Sequence, residues 1–270
     1  MSMSDPAPGT SPADLHSLIL VLSSAGSGSK LLCRDINSLG GLGMPKEYLR
    51  GFRKRPRGAG PAEADVLKRV AMGVQDDAPG VASVNLMVPQ APGTYEALYG
   101  KRVPSVDAVP GVISWAKERF EKLFVVFLVR NALDQAISHA VAESTGSGPS
   151  SDKAVGAPGG EARNLEIPNI HRLIRANLGR VVRERSILLE SYSMFADIGM
   201  LLTYDELYLE PAESATRLVT HARKAGFEVK HDVVERKREQ VSGAGWSTEI
   251  REGFLDYLKN ETGREPREGV

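Results

Sequence analysis

Residues Leu123–Val129 read LFVVFLV, seven apolar residues in a row, several of them β-branched. A strand that is apolar on both faces has to be covered on both sides, which is the situation of a parallel sheet between two layers of helices. Leu18–Leu22 (LILVL) has the same character. Val81–Val88 and Gly199–Tyr204 read as further strands. Helical spacing fills much of the chain between them. Lys30–Ser38 carries Leu31, Leu32, Ile36 and Leu39 on one stripe. Glu63–Met72, Val112–Lys122, Asp134–Ser144, 168–185, 188–196 and Pro211–Ala225 also read as helices, and residues 89–111 are mixed, with several Pro and Gly. The alternation predicts an α/β fold, a three-layer sandwich with a central parallel sheet. Ligands of such sheets bind beyond the carboxyl ends of the strands.

With 270 residues the chain is long enough for one large core. The expected organisation is a disordered lead-in over 1–16, a single domain over 17–260 and a flexible tail over 261–270. Basic and acidic residues balance at 34 each, so no global field favours nucleic acid, and an anion preference has to be local. The single cysteine, Cys33, excludes an internal disulfide and suits a reducing compartment. No apolar run approaches membrane-spanning length, and the N-terminal residues lack a secretory pattern, so a cytoplasmic location is expected. No metal is expected: Cys33 and the scattered histidines lack ligand spacing.

The stretch after the first strand, SSAGSGS over Ser23–Ser29, is the most informative one. Small residues let the backbone curl around an anion, and the amides that open the next helix have no intrahelical partners and point at it. Ser27 and Ser29 add hydroxyls, and Lys30 adds positive charge. The loop is not a Walker A motif, because Lys30 is followed by Leu31. It is not a dinucleotide fingerprint, because G-x-G-x-x-G is absent. A plain strand-to-helix connection is the alternative reading.

The string LILVLSSAGSGSKLLCRDINSLGGLGMPKEYL resembles the opening of the bacterial Stf0-type sulfotransferases, the trehalose sulfotransferase family. Ser27, Gly28, Ser29, Leu31, Leu32, Cys33, Pro45, Glu47 and Tyr48 fit that opening in order. ASVNLMVPQ, FVVFLVRNALDQAISHAVAESTG, LLTYDELYLEP and RKREQVSGAGW resemble later segments, so the resemblance spans roughly Leu18–Phe254. It implies a P-loop-like sulfotransferase fold and a donor, 3′-phosphoadenosine 5′-phosphosulfate (PAPS), which leaves as 3′,5′-ADP (PAP). In that picture Ser27, Gly28, Ser29 and Lys30 hold the 5′-phosphosulfate, Arg130 and Ser138 hold the 3′-phosphate, and Glu47 is the base that takes the acceptor's proton. Arg236, Lys237, Arg238 and Trp246 either cover the adenine and 3′-phosphate or form a solvated charged tail. The acceptor is a hydroxyl of a glycan, glycolipid or other small molecule, and a homodimer is possible.

Three departures bear on charge. Ala25-Gly26 stand where the family has Pro-Arg, Lys30 where it has Thr, and Asn85 where a Lys is expected. Either Lys30 restores the charge that the missing Arg would have supplied, or the site has drifted and donor binding is weak or gone. The other class of function is a catalytically silent nucleotide-binding or partner-binding module on the same fold. A small-molecule kinase is weaker, since Lys30 is out of register and no Mg²⁺-binding Asp follows a second strand. The basic patch Arg50–Gly58 reads either as a solvated loop or as an attractor for an anionic acceptor.

Overall fold

In a computed structural model of the chain, residues 11–56, 58–144, 167–234 and 244–262 are described. Among these residues four strands, β1 (Ser17–Ser23), β2 (Val81–Met87), β3 (Lys122–Val129) and β4 (Gly199–Thr203), form one parallel sheet in the order β2-β1-β3-β4. Val21 of β1 lies level with Asn85 on one side and Val126 on the other. The helices are α1 (Ser29–Leu39), α2 (Glu63–Ala71), α3 (Ala91–Tyr99), α4 (Ser105–Arg119), α5 (Ala132–Ser144), α6 (Ile167–Met194), α7 (Tyr204–Leu209), α8 (Pro211–Lys224) and α9 (Ala244–Thr262). This is an α/β fold with a central parallel sheet.

The continuous apolar runs explain the layering. Leu18, Leu20 and Leu22 of β1 and Val125, Phe127 and Val129 of β3 face a cluster built with α2, α3, α4 and the end of α6. Ile19 and Val21, with Phe124, Val126 and Leu128, face α1, α7 and α8. Each such side chain removed from water contributes about 1.5–3 kcal/mol.

The chain departs from the sequence expectations in several places. The stretch read as two helices over 168–185 and 188–196 is a single helix, α6. Residues 89–111 are mostly helical: Pro92 sits in the first turn of α3, and Pro104 caps α4, whose start at Ser105 precedes the expected Val112. Proline is tolerated at these positions, because the first amides of a helix have no partner to lose. The fourth strand stops at Thr203 rather than Tyr204. The Thr203 hydroxyl accepts from the Glu206 amide at 3.2 Å, and the Glu206 carboxylate accepts from the Thr203 amide at 2.7 Å. That reciprocal capping box starts α7 at Tyr204.

The described residues fall into two compact units. The first holds residues up to Arg130 and 184–234, and contains the whole sheet. The second holds 131–183 and 244–262, and its core brings Ala136, Ile137 and Ala140 of α5 together with Ile170 and Ile174 of α6 and Phe254 of α9. Among the described residues, no helix is long and apolar enough to cross a membrane.

Candidate functional site

The strand order locates the site within the first unit. The chain leaves β1 for β2 on one side and later returns through β3 on the other. The carboxyl ends of β1 and β3 therefore border the crevice where the strand order reverses, the usual ligand position in open α/β sheets. The Ser/Gly loop leaves β1 at this edge, and Arg130 follows β3 there.

The loop is tightly wound. Gly26 and Gly28 both have positive φ, 73° and 94°, and the Ser27 amide donates to the Ser24 carbonyl at 3.2 Å. Gly28 caps α1, whose Leu31 amide donates back to its carbonyl at 2.9 Å. Ser27 is fully buried, and its Oγ has no hydrogen-bond partner. Buried hydroxyls are nearly always paired, because leaving one unpaired costs about 1–3 kcal/mol. Ser29 is 8 % exposed, while Lys30 is exposed. The first turn of α1 carries no acidic side chain to compete with an anion at its positive end.

Arg130 reaches across to this loop. It is half-buried, and its Nη1 donates to the Gly26 carbonyl at 3.0 Å. Its guanidinium lies over the Tyr204 ring, 4.1 Å from the centroid. The same ring presses on Gly28, where an added Cβ would sit 2.7 Å from Cε2. Any side chain at Gly28 meets both the unfavourable φ and the ring. Four residues from three separate parts of the chain thus close on one another.

Two solved sulfotransferase structures are similar to this chain. One is a sulfotransferase from Alicyclobacillus acidocaldarius, with 14 % identity and a TM-score of 0.44 over 93 % of this chain and 97 % of that one. The other is the sulfotransferase domain from the curacin biosynthetic pathway, with 14 % identity and a TM-score of 0.43 over 93 % of each chain. No protein-family model matches the sequence, and no curated protein does. What the loop does has to be read from its own side chains.

Glu47 is fixed at the outer edge of β2. Lys46 forms a parallel bridge to Val84, and its carbonyl accepts from the Asn85 amide at 3.0 Å. Glu47 is half-buried, and its carboxylate accepts from Gln90 Nε2, just past β2, at 2.7 Å. Its field reaches α1: the Cys33 thiol is pushed up to about 12 by burial, then by Glu47 and Asp35. Burial, followed by Cys33, pushes the Tyr48 phenol up to about 12 as well. A thiol so raised is a poor nucleophile, although Cys33 is only half-buried on α1 and not the buried residue the sequence suggested. Asn85, where a lysine was expected, is buried and accepts from the Ser23 hydroxyl at 2.8 Å. The pair is neutral.

Of the expected site residues, Ser27, Gly28, Ser29, Lys30, Glu47 and Arg130 all belong to the first unit. Ser138 is half-buried on α5 of the second. Arg236, Lys237 and Arg238 lie outside the described residues, as does the low-complexity loop 145–160. Trp246 falls in α9. In the basic patch, Arg50, Arg53 and Lys54 are exposed, but Arg55 is turned inward to the carbonyls of Ala59 and Gly60. The buried Glu96 anchors this loop by accepting from the Gly58 amide at 2.8 Å and pairing with Arg102. Sequence reasoning left Tyr204 and Gln90 without roles. The capping box T-Y-D-E at 203–206 is the one signal that marks Tyr204 as the start of a helix.

Proposed function

We propose that this protein is a sulfotransferase that takes PAPS as donor and transfers its sulfuryl group to a hydroxyl of a small or glycan acceptor. The observation that carries the reading is the buried, unpartnered Ser27 hydroxyl, held in a glycine-wound loop at the N-terminus of α1. A phosphate or sulfate oxygen would satisfy it once the loop, which closes over the hydroxyl, shifts to admit one. Arg130 and Lys30 add the positive charge that such a group needs.

In the reaction, the bond from sulfur to the donor's phosphate oxygen breaks, and a bond from sulfur to the acceptor oxygen forms. Charge grows on the departing phosphate, so alignment and electrostatic stabilisation do most of the work. Lys30 and the α1 amides meet that charge. Glu47 takes the acceptor's proton, with Gln90 holding its carboxylate in place. The nucleotide leaves as PAP.

A second reading, a nucleotide-binding module without turnover, is favoured by the neutral Ser23–Asn85 pair and by the missing side chain at Gly26. Calorimetric titration with PAP, against ATP and AMP, tests the site. Preferential binding of PAP is expected, and its absence would remove the proposal. PAP binding without sulfuryl transfer to any of a panel of hydroxyl acceptors would move the second reading to first place.

A further inference from the structure

We infer that an open cleft of about 520 Å³ between the first turns of α3 and α4 receives an anionic group of the acceptor, a carboxylate, phosphate or sulfate that the acceptor already carries, and that Arg102 selects for it. The inference rests on the sulfuryl-transfer reading above and names the substrate class that site takes.

Position is the first support. The cleft is lined by Pro92, Arg102, Val103, Pro104 and Ser105, all in the first unit. Pro92 lies two residues past Gln90, whose side chain holds the Glu47 carboxylate at 2.7 Å. From the other side, Glu47 runs directly into the helical turn Tyr48–Lys54. That turn packs against α3, since a Cβ at Gly93 would strike the Phe52 carbonyl. The Arg53 carbonyl accepts from Arg102 Nη2 at 3.4 Å. The proposed base and the cleft are thus built from the same segments.

Charge is the second. The chain has no net charge, yet this corner is basic. Among the described residues that line the cleft, Arg102 alone is charged. Lys101 beside it, and Arg53 and Lys54 on the helical turn, are exposed, against Asp107 in the first turn of α4. Val103 and the two prolines make most of the wall apolar, and a charge against such a wall is less screened than one in open water.

Glu96 holds the cation in place. Its carboxylate is 1 % exposed, accepts from the Gly58 amide at 2.8 Å and pairs with Arg102 Nη1 at 3.4 Å. A guanidinium carries more N–H donors than its contacts to Glu96 and Arg53 use, and its planar fork suits a further oxyanion. A side chain ordered before the ligand arrives does not pay that ordering on binding.

The test reads the Arg102 side-chain Nε–Hε NMR signal, assigned by its loss in Arg102→Lys, in protein with and without PAP. The titrants are glucose 6-phosphate and glucose, with potassium chloride at matched ionic strength. Glucose 6-phosphate is expected to shift the signal with a Kd of about 1 mM or tighter, and glucose to leave it in place. Arg102→Gln combined with Glu96→Gln leaves no buried charge unpaired, and should bind glucose 6-phosphate about 10-fold more weakly, followed at the Ser105 amide. The inference is overturned if glucose moves the Arg102 signal as glucose 6-phosphate does, if salt alone reproduces the shift, or if neither sugar moves it. It is also overturned if the double variant binds glucose 6-phosphate as tightly as the parent. The parent's signal needs no donor and no variant at Glu96 to fold. A protein that shows the shift but fails to bind PAP keeps the anion cleft and loses the donor reading. One that binds PAP and shows no shift loses the cleft alone.

Discussion

Replacing Ser27 with alanine is expected to move stability and ligand affinity in opposite directions. The Ser27 side chain is fully buried, and its Oγ has no partner. With no protein partner in reach, a hydroxyl that has left water costs about 1–3 kcal/mol. Alanine keeps Cβ and removes only the orphan oxygen, so the Ser27→Ala protein should be as stable as the parent or more stable by up to that amount. For a protein of this size, each kcal/mol raises Tm by about 2–4 °C. In the complex the hydroxyl would donate to a charged oxygen, a bond worth about 1.5–3 kcal/mol. Its loss should weaken PAP by about 10- to 150-fold. Thermal unfolding with and without PAP, together with calorimetric titration, reads both quantities. A Ser27→Ala protein less stable than the parent by more than about 1 kcal/mol would show that the hydroxyl is satisfied in the free state. Unchanged PAP affinity would show that the loop holds no anion.

Cys33 should resist thiol reagents: with its thiol at about 12, the thiolate fraction at pH 8 is ~10⁻⁴, against roughly a quarter for an ordinary thiol. Disulfide-exchange labelling should be slow in the native protein and fast in denaturant, and native labelling of this half-buried thiol at the rate of a free cysteine would contradict the raised value. Glu47→Gln should leave PAP affinity intact and lower sulfuryl transfer by about 10²–10⁴-fold; undiminished transfer would remove Glu47 as the base. Glu206 titrates below its usual value, because, although burial opposes ionisation, the amide and hydroxyl of Thr203 and the charge of Arg217 together outweigh it. A folded value below the unfolded one means that its stabilisation is present above the ordinary carboxylate range and is lost as pH falls through the folded value. Thr203→Ala should therefore cost about 1 kcal/mol at neutral pH and lose less stability than the parent on acidification, as acid titrations followed by circular dichroism would show. An identical acid profile would argue against the capping box.

The layered α/β fold was readable in the sequence because burial leaves a local trace. LILVL and LFVVFLV have no polar parity, which only a sheet covered on both faces permits. The Ser/Gly loop was readable for the same kind of reason: a run of small residues between a buried strand and an amphipathic helix is a local pattern. The single span of α6 and the helices within 89–111 were not, since Gly, Pro and charged residues blur the period that marks a helix, and tertiary packing decides its length. The site's closure was also out of reach. Arg130 meets Gly26 across 104 residues, and Gln90 meets Glu47 across 43. A residue's neighbours in sequence report which face it buries and which turn it makes. Which distant side chain it meets depends on the strand order β2-β1-β3-β4, and that order is set only when all four strands pair.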